Sequence, residues 1–121
     1  MADVVYLVQD LLFTSKIREV ASQVGVKAQG AREPAALAAA ARDARLVILD
    51  LRLPRALEAL DLLAADPAAR GVPSVGFVDH EKVSVMEAAS ARGCQRVLAK
   101  GQFASALPGL LGPLGAGPSA K

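Results

Sequence analysis

The stretch "RLVILDLRLP", residues 45–54, gives the strongest indication of the fold. Its apolar residues 46–49 run without interruption into Asp50, and Pro54 follows shortly after that carboxylate. A short continuous apolar run of this kind is typical of a strand that is buried on both faces, as in a parallel sheet. Asp50 is therefore either a working carboxylate at the carboxyl end of a buried strand or a polar residue that turns the chain toward solvent.

Composition narrows the class of protein. The chain has 121 residues, of which 53% are hydrophobic and 21% charged, so it should form one globular domain. A net charge of +2, with only three phenylalanines, one tyrosine and no basic run, argues against a nucleic-acid partner. Cys94 is the only cysteine, which fits a reducing compartment. With no leader-like N-terminus and no long apolar stretch, we expect a cytoplasmic protein that does not bind a membrane.

Segments of strand and helix character alternate along the chain. Short apolar runs predict strands at residues 4–8, 26–29, 46–51, 72–78 and 95–99. Between them, apolar residues at helical spacing and glycines at helix ends predict helices, the first of which spans residues 11–24. We expect Asp79 to cap the fourth helix. This alternation predicts an α/β protein with a doubly wound, five-stranded parallel sheet covered by helices on both faces.

Polar residues follow several of the predicted strands. Gln9 and Asp10 follow the first strand, Asp50 ends the third, and Lys100 follows the fifth. The ligand crevice of a doubly wound sheet lies at the carboxyl ends of its strands. We therefore expect Asp10, Asp50 and Lys100 to lie together at that edge, with Lys100 able to approach Asp50.

In these residues the chain resembles the receiver domains of two-component response regulators, over residues 3–112. Receivers carry an acidic pair after the first strand, a phosphoryl-accepting aspartate in a context similar to LDLRLP, and a lysine that ends the fifth strand. Asp50 matches the acceptor, Asp10 one acid of the pair, and Lys100 the lysine; Pro54 and Gly93 fit as well. The resemblance implies a flavodoxin-like sheet with strand order 2-1-3-4-5. We expect a domain at residues 1–112 and a flexible tail at residues 113–121.

Three positions depart from the receiver pattern. Gln9 replaces the second acid of the pair, Val78 stands where receivers keep Ser or Thr, and Val97 stands where they often have Tyr or Phe. A carboxylate about 4 Å from a divalent ion gains roughly 8 kcal/mol of gross Coulomb energy, which desolvation partly offsets. The Gln9 amide lacks that charge, so we expect Asp10, Asp50 and Gln9 to bind Mg²⁺ only weakly. The two valines remove the hydroxyl and the aromatic ring that would convey a phosphorylation signal.

Two functions are consistent with this pattern. The first is an atypical, stand-alone pseudo-receiver that acts in signal transduction through protein–protein interaction, with weak or no phosphorylation at Asp50. The alternative is a phospho-accepting single-domain response regulator of a phosphorelay, with Gln9 serving as a metal ligand. Neither is an enzyme, and we expect no cofactor besides weakly bound Mg²⁺. The resemblance implies a partner protein, such as a histidine kinase or a downstream effector, or a homodimer.

Several of these residues also have a purely structural interpretation. Asp10 is as well placed to cap the first helix as to bind a metal ion. Lys100 can be an ordinary exposed lysine. Arg52 and Arg55 flank the predicted pocket, where they can bind an anion, replace part of the charge of a metal ion, or lie in a solvated loop.

The last predicted helix is short. We expect it to begin near residue 105 and to end at Gly112 and Pro113, about two turns later. So short a helix cannot turn all its leucines toward the sheet, and an uncovered apolar patch is a candidate interface. The interface candidates are Leu107, Leu110 and Leu111. The alternative is that they pack onto Phe103 and complete the core.

Overall fold

The computed structural model describes residues 2–116 of the chain. Strands and helices alternate throughout, in the order β1 (Val4–Leu7), α1 (Leu11–Val24), β2 (Ala28–Gly30), α2 (Pro34–Ala41), β3 (Leu46–Asp50), α3 (Ala56–Ala65), β4 (Ser74–Val78), α4 (Val83–Ala91), β5 (Arg96–Ala99) and α5 (Lys100–Ala116). Within the described residues, no helix is both long enough and apolar enough to span a bilayer.

The five strands form one parallel sheet in the order β2-β1-β3-β4-β5, which confirms the predicted fold class. Each strand lies within one or two residues of its predicted position. The apolar run at residues 46–49 lies in β3, the central strand of the sheet. This strand is buried along its whole length and pairs with both β1 and β4. Asp50 is the last residue of β3 and lies opposite Phe77 of β4. The carboxylate therefore stands at the carboxyl edge of the sheet, between two neighbouring strands.

A separate hydrophobic core covers each face of the sheet. On one face, α2, α3 and α4 pack against alternate strand residues such as Val5, Leu7 and Leu49. On the other face, α1 and α5 pack against the intervening residues, such as Tyr6, Ile48 and Phe77. Because successive strand side chains point to opposite faces, the central strands of a sheet covered on both sides are apolar at nearly every position, as β1 and β3 are here.

The ends of α1 lie where the sequence predicts them. The Asp10 side chain accepts hydrogen bonds from the amides of Leu12 and Phe13, as an N-cap residue does. Gly25 ends the helix in the left-handed region, with φ of 76°, where a side chain would be strained. This cap holds the Asp10 carboxylate at the edge of the sheet beside Asp50.

The predicted length of α5 is wrong. The helix begins at Lys100 and continues through Pro108 and Pro113 to Ala116. It can start directly after β5 because the Gln102 side chain accepts a hydrogen bond from the Ala99 amide, which is one half of a capping box. Residues 113–116 of the predicted tail therefore belong to the helix, and residues 117–121 lie outside the described residues.

Packing against α1 explains why two prolines do not end α5. Phe103, Leu107 and Leu111 are spaced one helical turn apart, and all three are fully buried against α1. The end of the helix is fixed as well, since Arg45 donates a hydrogen bond to the Leu114 carbonyl at 2.9 Å. A proline within a helix costs about 3 kcal/mol, and burying several large apolar side chains can exceed that cost.

The interface predicted at the α5 leucines is therefore corrected. Leu107 and Leu111 are completely buried, and Leu110 is half-buried against the same core. The alternative in which these leucines pack with Phe103 is the one found. They form no exposed apolar patch because the longer helix turns one continuous stripe toward α1.

Candidate functional site

Asp50 is the centre of the candidate site. Its side chain is 2% exposed, and both of its oxygens accept hydrogen bonds from Arg52. Oδ1 accepts from the Arg52 amide at 3.0 Å and from its Nε at 2.8 Å, while Oδ2 accepts from Nη2 at 2.8 Å. The guanidinium therefore holds this buried carboxylate in the bidentate geometry that makes such pairs strong.

Asp10, which lies between β1 and α1, is the second carboxylate that pairs with Arg52. Its Oδ1 caps α1, and its Oδ2 accepts from Nη2 of Arg52 at 3.2 Å. Nη2 thus bridges Asp10 and Asp50, and all the oxygens of the two carboxylates have a donor. Both interpretations of Asp10 remained open in the sequence; the structure shows the capping role and adds a contact with Arg52.

Two aromatic rings lie close to the guanidinium of Arg52. The Arg52 Cζ lies 5.4 Å from the ring centroid of Phe13 and 5.5 Å from that of Phe77, within range of cation–π attraction. The two rings stack on each other with centroids 4.7 Å apart, and Phe77 stacks on Phe103 behind them. We call Asp10, Phe13, Asp50, Arg52 and Phe77 the Arg52 pocket.

The charges in the Arg52 pocket stabilise one another. The hydrogen bond to Asp50 raises the pKa of Arg52 above its ordinary value, with a smaller contribution from Asp10. The amide of Phe13 lowers the pKa of Asp10, and Arg52 lowers it further. Arg52 is 26% exposed, so water still reaches one side of the guanidinium.

Lys100 lies at the predicted edge of the sheet but has a different partner. Its Nζ lies 2.8 Å from Oδ1 of Asp79, and this pair lowers the pKa of Asp79. Asp79 does not cap α4, since Lys82 occupies the N-cap position of that helix. The prediction that Asp79 is a cap is thus wrong, and the ammonium group predicted to approach Asp50 pairs with Asp79.

The three positions that depart from the receiver pattern, Gln9, Val78 and Val97, also have defined environments. Gln9 is exposed and, within residues 2–116, makes no hydrogen bond to Asp10, Asp50 or Arg52. Val78 is buried in the core and offers no hydroxyl beside Asp50. Val97 is half-buried against the same core.

No protein-family model matches the sequence, and no curated protein matches it. Solved structures do match. The chain has the fold of a response-regulator receiver domain.

Receiver structures from several bacteria superimpose on nearly the whole chain. A response regulator receiver domain from Rhodospirillum rubrum is 22% identical, with a TM-score of 0.72 over 92% of each chain. A chemotaxis response regulator of Vibrio cholerae is 17% identical, with a TM-score of 0.75 over 94% of this chain and 98% of the other. The receiver domain of a Pseudomonas aeruginosa sensor histidine kinase, which carries a magnesium ion in its active-site cleft, is 17% identical, with a TM-score of 0.76 over 95% of this chain and 98% of the other.

The residues at the receiver-like edge, as arranged here, do not fit a magnesium ion. No group of three or more His, Cys, Asp or Glu side chains among the described residues converges on one point. The two carboxylates that do converge are bridged by Nη2 of Arg52, and Gln9 is exposed and forms no hydrogen bond with either of them. Magnesium prefers octahedral oxygen ligation, whereas the atom found between these carboxylates is a nitrogen donor.

The sequence leaves the position of Arg52 open and does not predict the pairing of Lys100 with Asp79. From the sequence, Arg52 can lie in a solvated loop, bind an anion or replace part of the charge of a metal ion, and the structure places it inside the pocket between two carboxylates. The signal was its position two residues after Asp50, from which an arginine side chain can fold back onto the carboxylate. The Asp79–Lys100 pair could have been found because both residues directly follow neighbouring strands.

Proposed function

We propose that this chain is an atypical receiver domain that acts in signal transduction by binding a partner protein, with weak or no phosphorylation at Asp50. The observation that carries this proposal is the bidentate pairing of Asp50 with Arg52. An acceptor carboxylate must present a free oxygen to the phosphorus atom of the donor. Here both oxygens of a buried carboxylate are engaged, so the reaction requires Arg52 to leave first.

Other residues of the site support the same conclusion. Phosphoryl transfer depends on cations that neutralise charge on the moving group. Lys100 is paired with Asp79, and the carboxylates that would hold magnesium are bridged by Arg52. Val78 supplies no hydroxyl with which a phosphoryl group could form a hydrogen bond. A module of this kind acts by binding rather than by catalysis.

An exposed apolar pair next to the pocket supports a protein partner. Leu11 and Leu12 begin α1 directly after Asp10 and are 81% and 73% exposed. These two adjacent leucines offer an apolar surface that a partner protein could cover. By analogy with receivers, the partner is a histidine kinase or a downstream effector, and a second copy of the chain is the other choice.

A phospho-accepting response regulator is the second candidate function. It is favoured by the placement of Asp10 and Asp50, whose carboxylates both lie within hydrogen-bonding distance of one nitrogen atom. Since Arg52 is 26% exposed, an outward rotation of its side chain would leave two carboxylates facing the same space. Gln9 would then have to supply an amide oxygen as a metal ligand.

Phosphodonor labelling separates the two functions. The intact chain and an Asp50→Asn control are incubated with acetyl phosphate and Mg²⁺, and the phosphorylated fraction is measured by intact-mass spectrometry. We expect only a minor fraction of the wild type to be labelled. Near-complete labelling that the Asp50→Asn change abolishes would establish the phospho-acceptor and overturn our proposal.

A further inference from the structure

The position of one nitrogen atom in the Arg52 pocket has a consequence for metal binding. Nη2 of Arg52 lies 2.8 Å from Oδ2 of Asp50 and 3.2 Å from Oδ2 of Asp10. A metal ion shared by the two carboxylates would occupy this same space. We propose that Arg52 is the resident cation of the pocket and excludes Mg²⁺ from Asp10 and Asp50 for as long as it is bound there. This inference rests on the proposed function, because it treats these carboxylates as counterparts of the acidic residues of a receiver.

Charge balance supports exclusion rather than coexistence. Two carboxylates face one guanidinium, and the nearby ammonium of Lys100 already pairs with Asp79. A divalent ion entering between the carboxylates would lie within a few ångströms of a guanidinium, which cannot lose its proton in a protein. Repulsion between these cations is strong in a partly buried site. Magnesium and Arg52 therefore compete for the same oxygens.

The aromatic side of the pocket selects for the guanidinium. A guanidinium is planar and weakly hydrated, so it can lie against aromatic rings while it donates hydrogen bonds at its edge. Phe13 and Phe77 provide such rings, and Phe77 is completely buried. Magnesium gives up its water ligands reluctantly, and those waters need polar neighbours. The rings offer none, so this side of the pocket suits a guanidinium better than a hydrated magnesium ion.

Metal titration of the intact chain tests this inference. Amide NMR spectra are recorded during addition of Mg²⁺, with Mn²⁺ as a paramagnetic probe of the same site, for the wild type, Arg52→Ala and Arg55→Ala. Arg55 is the matched control, since it lies in the same loop but pairs with exposed Glu58 outside the pocket. We expect Arg52→Ala to bind magnesium at least about tenfold more tightly than the wild type, and Arg55→Ala to behave as the wild type does.

Specific results of this titration would overturn the inference. It fails if the wild type binds Mg²⁺ as tightly as Arg52→Ala does, or if Arg55→Ala gives the same gain. A Gln9→Asp variant should gain less than Arg52→Ala, because it adds a charge while Arg52 stays in place. If Arg52→Ala folds poorly, Arg52→Gln replaces it, and the readout is the thermal midpoint. Mg²⁺ should then raise the midpoint of the variant but not of the wild type, since a ligand that binds only the folded state stabilises it. No rise in the variant overturns the inference.

The metal titration and the labelling experiment fail independently. A wild type that binds magnesium tightly while Asp50 stays unlabelled refutes the role of Arg52 and leaves the proposed function standing. A wild type that is fully labelled, while Arg52→Ala still gains magnesium affinity, refutes the proposed function alone.

Discussion

Replacing Arg52 by methionine should destabilise the domain because it leaves a buried carboxylate without its partner. Methionine is similar in length and retains apolar contact with Phe13 and Phe77, so little packing is lost. What is lost is the set of hydrogen bonds to both oxygens of Asp50, whose side chain is 2% exposed. A charge in that position cannot regain its water without opening the structure.

The magnitude follows from the geometry of the pair. Removing one partner of a fully buried ion pair typically costs about 3–5 kcal/mol. Arg52 is 26% exposed, so water screens part of the interaction and can replace part of the guanidinium. We therefore expect Arg52→Met to lower the free energy of unfolding by about 2–3 kcal/mol at neutral pH. For a domain of this length, that corresponds to a fall in the thermal midpoint of about 10 °C.

Neutralising the other partner of the pair, Asp50, should cost much less stability than removing Arg52. In Asp50→Asn the guanidinium keeps Asp10 and can turn its exposed side to water, so we expect a loss of about 1 kcal/mol or less. The double variant should then be more stable than Arg52→Met alone, because no unpaired charge is left buried. The resulting coupling energy in a double-mutant cycle should be about 1.5–2 kcal/mol.

Urea denaturation of the four proteins, at one pH and one salt concentration, measures these free energies by linear extrapolation. Arg55→Met is the control, and it should change stability by no more than about 0.5 kcal/mol, because exposed ion pairs contribute little. The explanation is refuted if Arg52→Met costs as little as that control and the cycle is additive. Arg52 would then be a solvated loop residue, and Asp50 would be stable without it.

Two further changes test other parts of the structure. Leu111→Ala, in a side chain that is 0% exposed, should cost about 3 kcal/mol in urea denaturation, whereas Leu11→Ala should cost less than about 0.5 kcal/mol; equal effects would show that α5 does not pack against α1 as described. Lys100→Met should raise the pKa of Asp79 toward its ordinary value of about 3.9, as followed by carboxyl NMR titration, because it removes the hydrogen bond that lowers that pKa. Since the folded-state pKa of Asp79 is the lowered one, the stability that the pair provides is present above pH of about 3.9 and is lost as the pH falls through the folded-state value; an unchanged Asp79 titration in Lys100→Met would contradict the pairing.

The sheet could be predicted from the sequence because its signals are local. The run at residues 46–49 has no polar position, as is typical of a strand covered on both faces, and β3 is the central strand of the sheet. Asp10 and Gly25 mark the ends of α1 by their own preferences for caps. Each of these inferences requires only a few neighbouring residues.

The length of α5 could not be predicted in the same way. Gly112 and Pro113 are a local signal for the end of a helix, so the sequence alone predicts that α5 ends there. The competing signal was the apolar stripe of Phe103, Leu107 and Leu111, but its value depends on α1, which supplies the opposing surface. Intrinsic propensity is a weak preference that tertiary packing overrides, and here it was overridden twice in one helix.

The position of the Arg52 side chain could not be predicted from neighbouring residues alone, for the same reason. Its position two residues after Asp50 allows Arg52 to reach the carboxylate, but equally allows it to extend into water. What fixes its position comes from elsewhere in the chain: Asp10 and Phe13 from the start of α1, and Phe77 from β4. Residues distant in sequence thus decide whether a loop arginine is solvated or is the cation of the site. In a chain with this fold, a basic residue close to the predicted acceptor should therefore be considered together with the residues after the first and fourth strands before a metal site is assigned.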